Sequence, residues 1–206
     1  MLYDLIRNLL YLLAIALIII LAIKGKFRHK KAILITISIV TFVVLSFILN
    51  YPVENFFIKF ATPEEVFHYR TVGEIKKVVT GENSAMIIYK DKERDIKPSF
   101  VTKDGDGWKI GDYSVDQTLS YTDSDYYIFI YNIKNTSDYY VTINEVTDSD
   151  IATILDSNGS EFDYISEPIA FRDAKDVFYY TYVQNIKDDY KLRIDGQVIS
   201  FTDLLE

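Results

Sequence analysis

Cysteine is absent from the 206 residues. That excludes disulfides, thiolate metal sites, a thiol nucleophile and lipidation on an N-terminal cysteine. Small exported domains often rely on disulfides, so here a hydrophobic core must hold the fold. Histidine is nearly as scarce: His29 and His68 are the two present. A Ser-His-Asp triad or a histidine metal site needs convergent partners, and one histidine beyond residue 50 supplies none. Also missing are a Gly-rich phosphate loop, a Gly-x-Ser-x-Gly elbow, a Ser-x-x-Lys element, a Ser/Gly linker and any internal repeat. No catalytic, cofactor-binding or metal-ligating residue is nominated, and no cofactor is expected.

The charge is divided unevenly along the chain. Residues 1–50 hold six Lys/Arg and one acid, Asp4, for +5. Residues 51–206 hold 16 Lys/Arg and 29 Asp/Glu, for −13, and the two parts give the net −8. An acidic body argues against nucleic acid as a partner, because that affinity comes from Lys and Arg neutralising phosphates. It argues equally against the body lying flat on an anionic lipid surface.

The basic head carries two apolar runs, Leu9–Ile23 and Ala32–Leu49. A helix crossing about 30 Å of hydrocarbon needs roughly 20 residues, which predicts spans over 5–23 and 32–50 with the lipid bilayer as partner. No small-x-small cleavage site follows the first run, which disfavours a cleaved signal peptide. Between the runs, residues 24–31 include Lys24, Lys26, Arg28, Lys30 and Lys31. Positive flanks stay cytoplasmic. The expected arrangement is a multi-pass cell-membrane protein with loop 24–31 cytoplasmic and both the N-terminus and the C-terminal domain extracytoplasmic. Tyr51, Phe56, Phe57 and Phe60 follow the second run; they suit an interfacial aromatic belt or the start of the body's core.

In the body, Thr62-Pro63-Glu64-Glu65 reads as a helix start: a capping hydroxyl, proline at the first helical position and two acids at the positive end of the dipole. The helix should end near Arg70. Strands are predicted over 74–80, 84–90, 96–102 and 108–113, a meander making a small α+β subdomain over 54–116. Hairpins follow over 126–133 with 139–146, 151–155 with 161–165, and 190–194 with 198–201, and 178–183 reads as one more strand. About seven short strands predict an immunoglobulin-like β-sandwich over 117–206, and a mainly β protein overall. In Tyr126–Ile133 both alternating faces are apolar or aromatic, so that strand is buried on both sides or its tyrosines cover a neighbour. The two halves are expected to pack closely.

Acids are too many to nominate a catalytic pair. Asp104-Gly105-Asp106-Gly107 starts like a calcium loop but lacks the later ligands, and a hairpin turn accounts for it; Asp148-Ser149-Asp150 and Asp156-Ser157-Asn158 are similar. Tyrosine is the unusual residue, with 17 in all and 15 after residue 50. The clusters Tyr126-Tyr127, Tyr139-Tyr140 and Tyr179-Tyr180-x-Tyr182 are candidates for an interaction surface, because tyrosine offers large contact area at low entropic cost. Tyrosine is also a strand former, and cross-strand packing is the competing reading.

The stretch from Thr62-Pro63-Glu64-Glu65 through Trp108-Lys109-Ile110-Gly111, with Tyr131-Asn132-Ile133-Lys134-Asn135-Thr136, resembles small membrane-anchored proteins of low-GC Gram-positive bacteria. That resemblance implies an exported bacterial protein and transfers no catalytic residue. The expected role is an extracytoplasmic binding module for an envelope protein or component. One alternative is an accessory subunit of a membrane complex acting through polar positions of the second span: Thr36, Ser38, Thr41 and Ser46. The other is a cell-envelope hydrolase.

Overall fold

A computed structural model describes residues 2–24, 30–111, 114–122, 126–169, 172–187 and 189–200. The centre of the basic loop, with His29, lies outside the described residues, as do Tyr113 and Phe201.

Helices α1 (Leu2–Lys24) and α2 (Lys30–Asn50) form the apolar hairpin. Each is long and apolar enough to cross a membrane, and only 6% of either candidate span is buried. A core helix of a soluble domain would be mostly covered, and these two are not. The half-buried positions of α1 include Ala14, Ile18 and Leu21, and those of α2 include Ile37, Thr41, Leu45 and Ile48. That three- and four-residue spacing marks the seam between the helices.

A short 3-10 turn, Val53–Phe56, leads from α2 into the body. The Asn55 side chain then clamps the backbone of Ile110, donating to its carbonyl and accepting from its N–H, both at 3.0 Å. Phe60 exchanges two backbone hydrogen bonds with Trp108. Helix α3 (Pro63–Arg70) starts as predicted: the Thr62 hydroxyl accepts from the Glu65 N–H, and the Glu65 carboxylate accepts from the Ala61 N–H.

Strands β1 (Glu74–Thr80), β2 (Ser84–Lys90), β3 (Ile96–Asp104) and β4 (Gly107–Ile110) form a four-stranded antiparallel meander. One face packs on α3 through Ala85, Ile87, Val101 and Ile110 against Val66 and Phe67. The other presents Met86, Ile88, Ile96 and Phe100 to a second sheet.

The immunoglobulin-like β-sandwich expected over 117–206 is not formed. Strands β5 (Val115–Thr122), β6 (Tyr126–Ile133), β7 (Asp138–Thr147), β9 (Asp163–Pro168) and β10 (Lys175–Gln184) make a five-stranded sheet in the order β5-β6-β7-β10-β9. Strands β8 (Ile154–Asp156), β11 (Lys191–Ile194) and β12 (Gln197–Ser200) make a separate three-stranded sheet, β12-β11-β8. None of the three sheets closes or curls into a barrel, and the body is a mixed α/β domain.

The reason lies in β6, β7 and β10, which are apolar on both faces. A two-sheet sandwich has one inner face per sheet, and this sheet has two. One face packs Ile128, Ile130, Val141, Ile143, Val177 and Tyr179 against Ile154, Leu192, Ile194 and Ile199 of the three-stranded sheet. The opposite face packs Ile133, Tyr140, Phe178 and Tyr180 against the meander. Burying each aliphatic side chain contributes about 1.5–3 kcal/mol, so a layer covered twice stabilises more than one left half wet. The predicted 151–155/161–165 hairpin separates for the same reason. Apart from a single Leu155–Glu161 bridge, β8 joins β11 and β9 joins β10. On β9, Asp163 then meets Lys77, and Glu167 meets Lys76 and Lys90 of the meander.

Candidate functional site

The predicted tyrosine clusters do not gather on one surface. Strand alternation sends Tyr126, Tyr139 and Tyr179 to one face of the five-stranded sheet, and Tyr127, Tyr140, Tyr180 and Tyr182 to the other. Tyr140, Tyr179 and Tyr180 are buried, Tyr126, Tyr139 and Tyr182 are half-buried, and Tyr127 is exposed.

Several of these hydroxyls end on carboxylates. Tyr179 donates to Glu145 at 2.7 Å and accepts from the Ala152 N–H at 3.0 Å. Tyr182 donates to Asp138 at 2.9 Å, Tyr190 donates to Asp156 at 3.0 Å, and Tyr180 reaches Asp163 at 3.5 Å. The Tyr140 hydroxyl donates to Ser84, whose own hydroxyl donates to Asp138 at 2.6 Å. Asp138 is fully buried and also accepts the Asn83 N–H at 2.8 Å. It therefore ties β7 to the β1–β2 turn and joins the two halves of the body. Gly81 closes that corner: a Cβ there would lie 2.6 Å from the Tyr182 ring and 2.8 Å from the Tyr140 hydroxyl. Burial, followed by the Asp163 charge, pushes the Tyr180 phenol up to about 12. Burial raises Tyr140, Tyr179 and Tyr190 further. Much of the tyrosine and some of the acid in the composition is thus a network of core struts.

The meander does not cover the whole of the five-stranded sheet. Where it stops, a cleft of about 330 Å³ opens between Asp95–Pro98 and the sheet face. Its floor is Phe129 on β6, Thr142 and Asn144 on β7, and Asp176 and Phe178 on β10, with Tyr131 at one side. The pairing of Asn144 with Phe178 places Asp176 diagonally across from Asn144 on one face. Burial, with the Asp95 and Glu167 charges behind it, raises the Asp176 carboxyl above the ordinary aspartate value. Lys97, on the opposite wall, is held by Asp91 and Asp95. Sequence reasoning missed this cleft, because Asn144 and Asp176 look like ordinary strand polar residues until the register is known.

Among the described residues, Asp91, Glu93 and Asp95 form the one acidic group with metal-like spacing, within 4.8 Å of one another. Asp91 already accepts the N–H groups of Glu93 and Asp95 and pairs with Lys97, which is turn chemistry. Asp104 is paired with Lys109 and Lys59, and Asp156 caps the N–H groups of Asn158 and Ser160. His68 sits exposed on α3, edge-on to Phe67.

A second constellation lies where the hairpin meets the body. Arg7 of α1, 6% exposed, pairs with Glu54, 9% exposed, at 3.2 Å and donates to the Tyr51 carbonyl at 2.7 Å. Its guanidinium lies 4.1 Å from the centre of the Tyr3 ring, and Tyr3 packs edge-on against Tyr69 of α3 at 6.0 Å. Nearby, Phe56 and Phe57 are 76% and 88% exposed, whereas Phe60 turns inward onto the meander.

No family model, curated protein or solved structure matches the chain.

Proposed function

We propose that the protein is a two-span membrane protein whose body stands on the extracytoplasmic side as a binding module for an envelope component. The observation that carries this reading is the buried Arg7–Glu54 pair. It ties the start of α1 and the end of α2 to the body, so both water-facing ends of the hairpin and the body share one side of the bilayer. The basic loop falls at the other end, and the positive-inside rule makes that end cytoplasmic. The resemblance to anchored envelope proteins of low-GC Gram-positive bacteria supports the same placement. Tyr51, Phe56 and Phe57, exposed just beyond α2, suit the interfacial zone.

The inter-sheet cleft supports binding over hydrolysis. Of its two carboxylates, Asp95 is engaged by Lys97, which leaves Asp176 without a second acid to share proton transfer. The helix-pair alternative gains no support from the geometry. Thr41 and Ser46 are half-buried while Thr36 and Ser38 are exposed, and 100° per residue spreads the four around α2 rather than along one stripe.

Single cysteines in this cysteine-free chain test the topology. Ser157→Cys should label in intact cells with a membrane-impermeant thiol reagent, and Gly25→Cys should label only after permeabilisation. The reverse pattern would place the body in the cytoplasm and end the envelope reading.

A further inference from the structure

The cleft between Asp95–Pro98 and the five-stranded sheet is rich in acceptors and short of donors. Among the described residues, the Asp176 carboxylate has neither a hydrogen bond nor an ion pair. The Oδ1 atom of Asn144 is buried without a hydrogen-bond partner. A buried acceptor left unmatched loses the hydrogen bond that water would give it, and natural folds seldom keep one without a use. Here that buried amide oxygen and the half-buried Asp176 carboxylate lie diagonally across adjacent strands on one face.

The neighbouring cations do not meet the need. Lys97 is held by Asp91 and Asp95, and Lys90 by Glu167. Thr142 is already hydrogen-bonded to the Tyr131 hydroxyl. The rest of the floor is aromatic. Phe129 and Phe178 line the cleft beside the two acceptors, and aromatic faces attract cations and cover methylene stems. A ligand that suits this surface brings N–H donors, positive charge and a narrow apolar stem. An anion would face Asp176, Asp95 and Glu167, and a neutral apolar ligand would leave both acceptors unmatched.

We propose that the cleft binds an alkylammonium group, its N–H donors shared between the Asp176 carboxylate and the Asn144 amide oxygen and its stem laid on Phe129 and Phe178. The volume of about 330 Å³ admits one slender chain and lies at the small end of ordinary ligand pockets. Free amines and lysine side chains share this chemistry. The assignment rests on the binding role proposed above and names its ligand class. Calorimetry on purified protein is blind to membrane orientation, so its failure is distinct from a failure of the labelling test.

The experiment is calorimetric titration of the full chain in uncharged detergent with cadaverine, with 1,5-pentanediol as the uncharged counterpart and with the amide of N-acetyl-lysine. Cadaverine should bind at least about tenfold more tightly than the diol, the equivalent of one charge-assisted contact. Asp176→Asn keeps the shape and removes the charge, and it should weaken cadaverine by at least about tenfold without lowering the melting temperature. Asn144→Leu, which removes the amide oxygen at similar volume, should weaken it as well. Binding of the lysine derivative in the same range identifies a side chain as an acceptable source, and its exclusion identifies a free amine. Equal binding of cadaverine and diol, no binding of cadaverine, or cadaverine binding unchanged by Asp176→Asn overturns the proposal.

Discussion

Arg7 and Glu54, 47 residues apart, form an ion pair that is almost wholly buried where the helical hairpin joins the body. Arg7 is the one cation in α1 before Lys24, and its burial makes sense only with Glu54 beside it. An intramembrane or buried charge needs a partner, and here the partner lies four residues beyond the end of α2. The pair sets the depth of α1 relative to the body and leaves Leu9–Ile23 as its uninterrupted apolar stretch.

Breaking this pair from one side should be costly. Arg7→Ala or Glu54→Ala alone leaves an uncompensated buried charge, with an expected loss of about 3–5 kcal/mol. The double variant should lose clearly less than the sum of the two. Thermal unfolding of the four proteins in neutral detergent gives the coupling, and additive losses would show that the two charges do not depend on each other.

Asp138 should behave as a keystone. Asp138→Ala removes the acceptor for Ser84, Tyr182 and the Asn83 N–H, with an expected cost of at least ~3 kcal/mol because hydrogen bonds to a charged group are the strong ones. Gly81→Ala forces a methyl group against Tyr182 and Tyr140 and should also lower the melting temperature. A distant exposed change such as Lys92→Ala is the control.

Alkaline pH should unfold the body cooperatively. Tyr140, Tyr179, Tyr180 and Tyr190 have raised folded values, with Tyr180 near 12. Between the unfolded value of about 10 and those raised values, the unfolded chain has released protons that the folded chain keeps. Stability is therefore fully present below about pH 10 and falls as pH rises. Tyrosinate absorbance from these residues should appear together with loss of β circular dichroism. Their ionisation near pH 10 in a still-folded protein would contradict the network.

Phe57 should lie in the lipid interface. In Phe57→Trp, fluorescence should be quenched by lipids brominated near the headgroup. The native Trp108, buried under the Phe60 bridge, should be quenched little in the parent. Equal quenching of both proteins would remove Phe57 from the interface.

The helix pair, the Thr62 cap and nearly every strand from β1 to β4 were legible in the sequence because their signals are local: apolar length, a capping hydroxyl, two-residue alternation. The pattern of Tyr126–Ile133, apolar on both faces, also pointed to a strand covered twice. The partner of each later strand was not legible. Residues 161–165 alternate as a hairpin strand would, yet Asp163 and Glu167 find lysines on the meander and β9 pairs with β10 instead. Strand β5, with Asp116, Gln117 and Ser120 in it, carries too little apolar signal to stand out. Tyrosine clusters looked like a surface because composition says nothing about which face a residue takes. Once the register is known, their hydroxyls point at Asp138, Glu145 and Asp163.

The shared-side arrangement requires the start of α1 to dock against the body. With no native cysteine, Tyr3→Cys and Tyr69→Cys can be combined and treated with a short bismaleimide in native membranes. The parent rings lie 6.0 Å apart, so rapid crosslinking within one chain is expected, abolished when Arg7 is also replaced by Ala. Absence of the crosslink in membranes, with each single cysteine still reactive, would mean that the start of α1 does not meet the body, and the shared-side arrangement would be wrong.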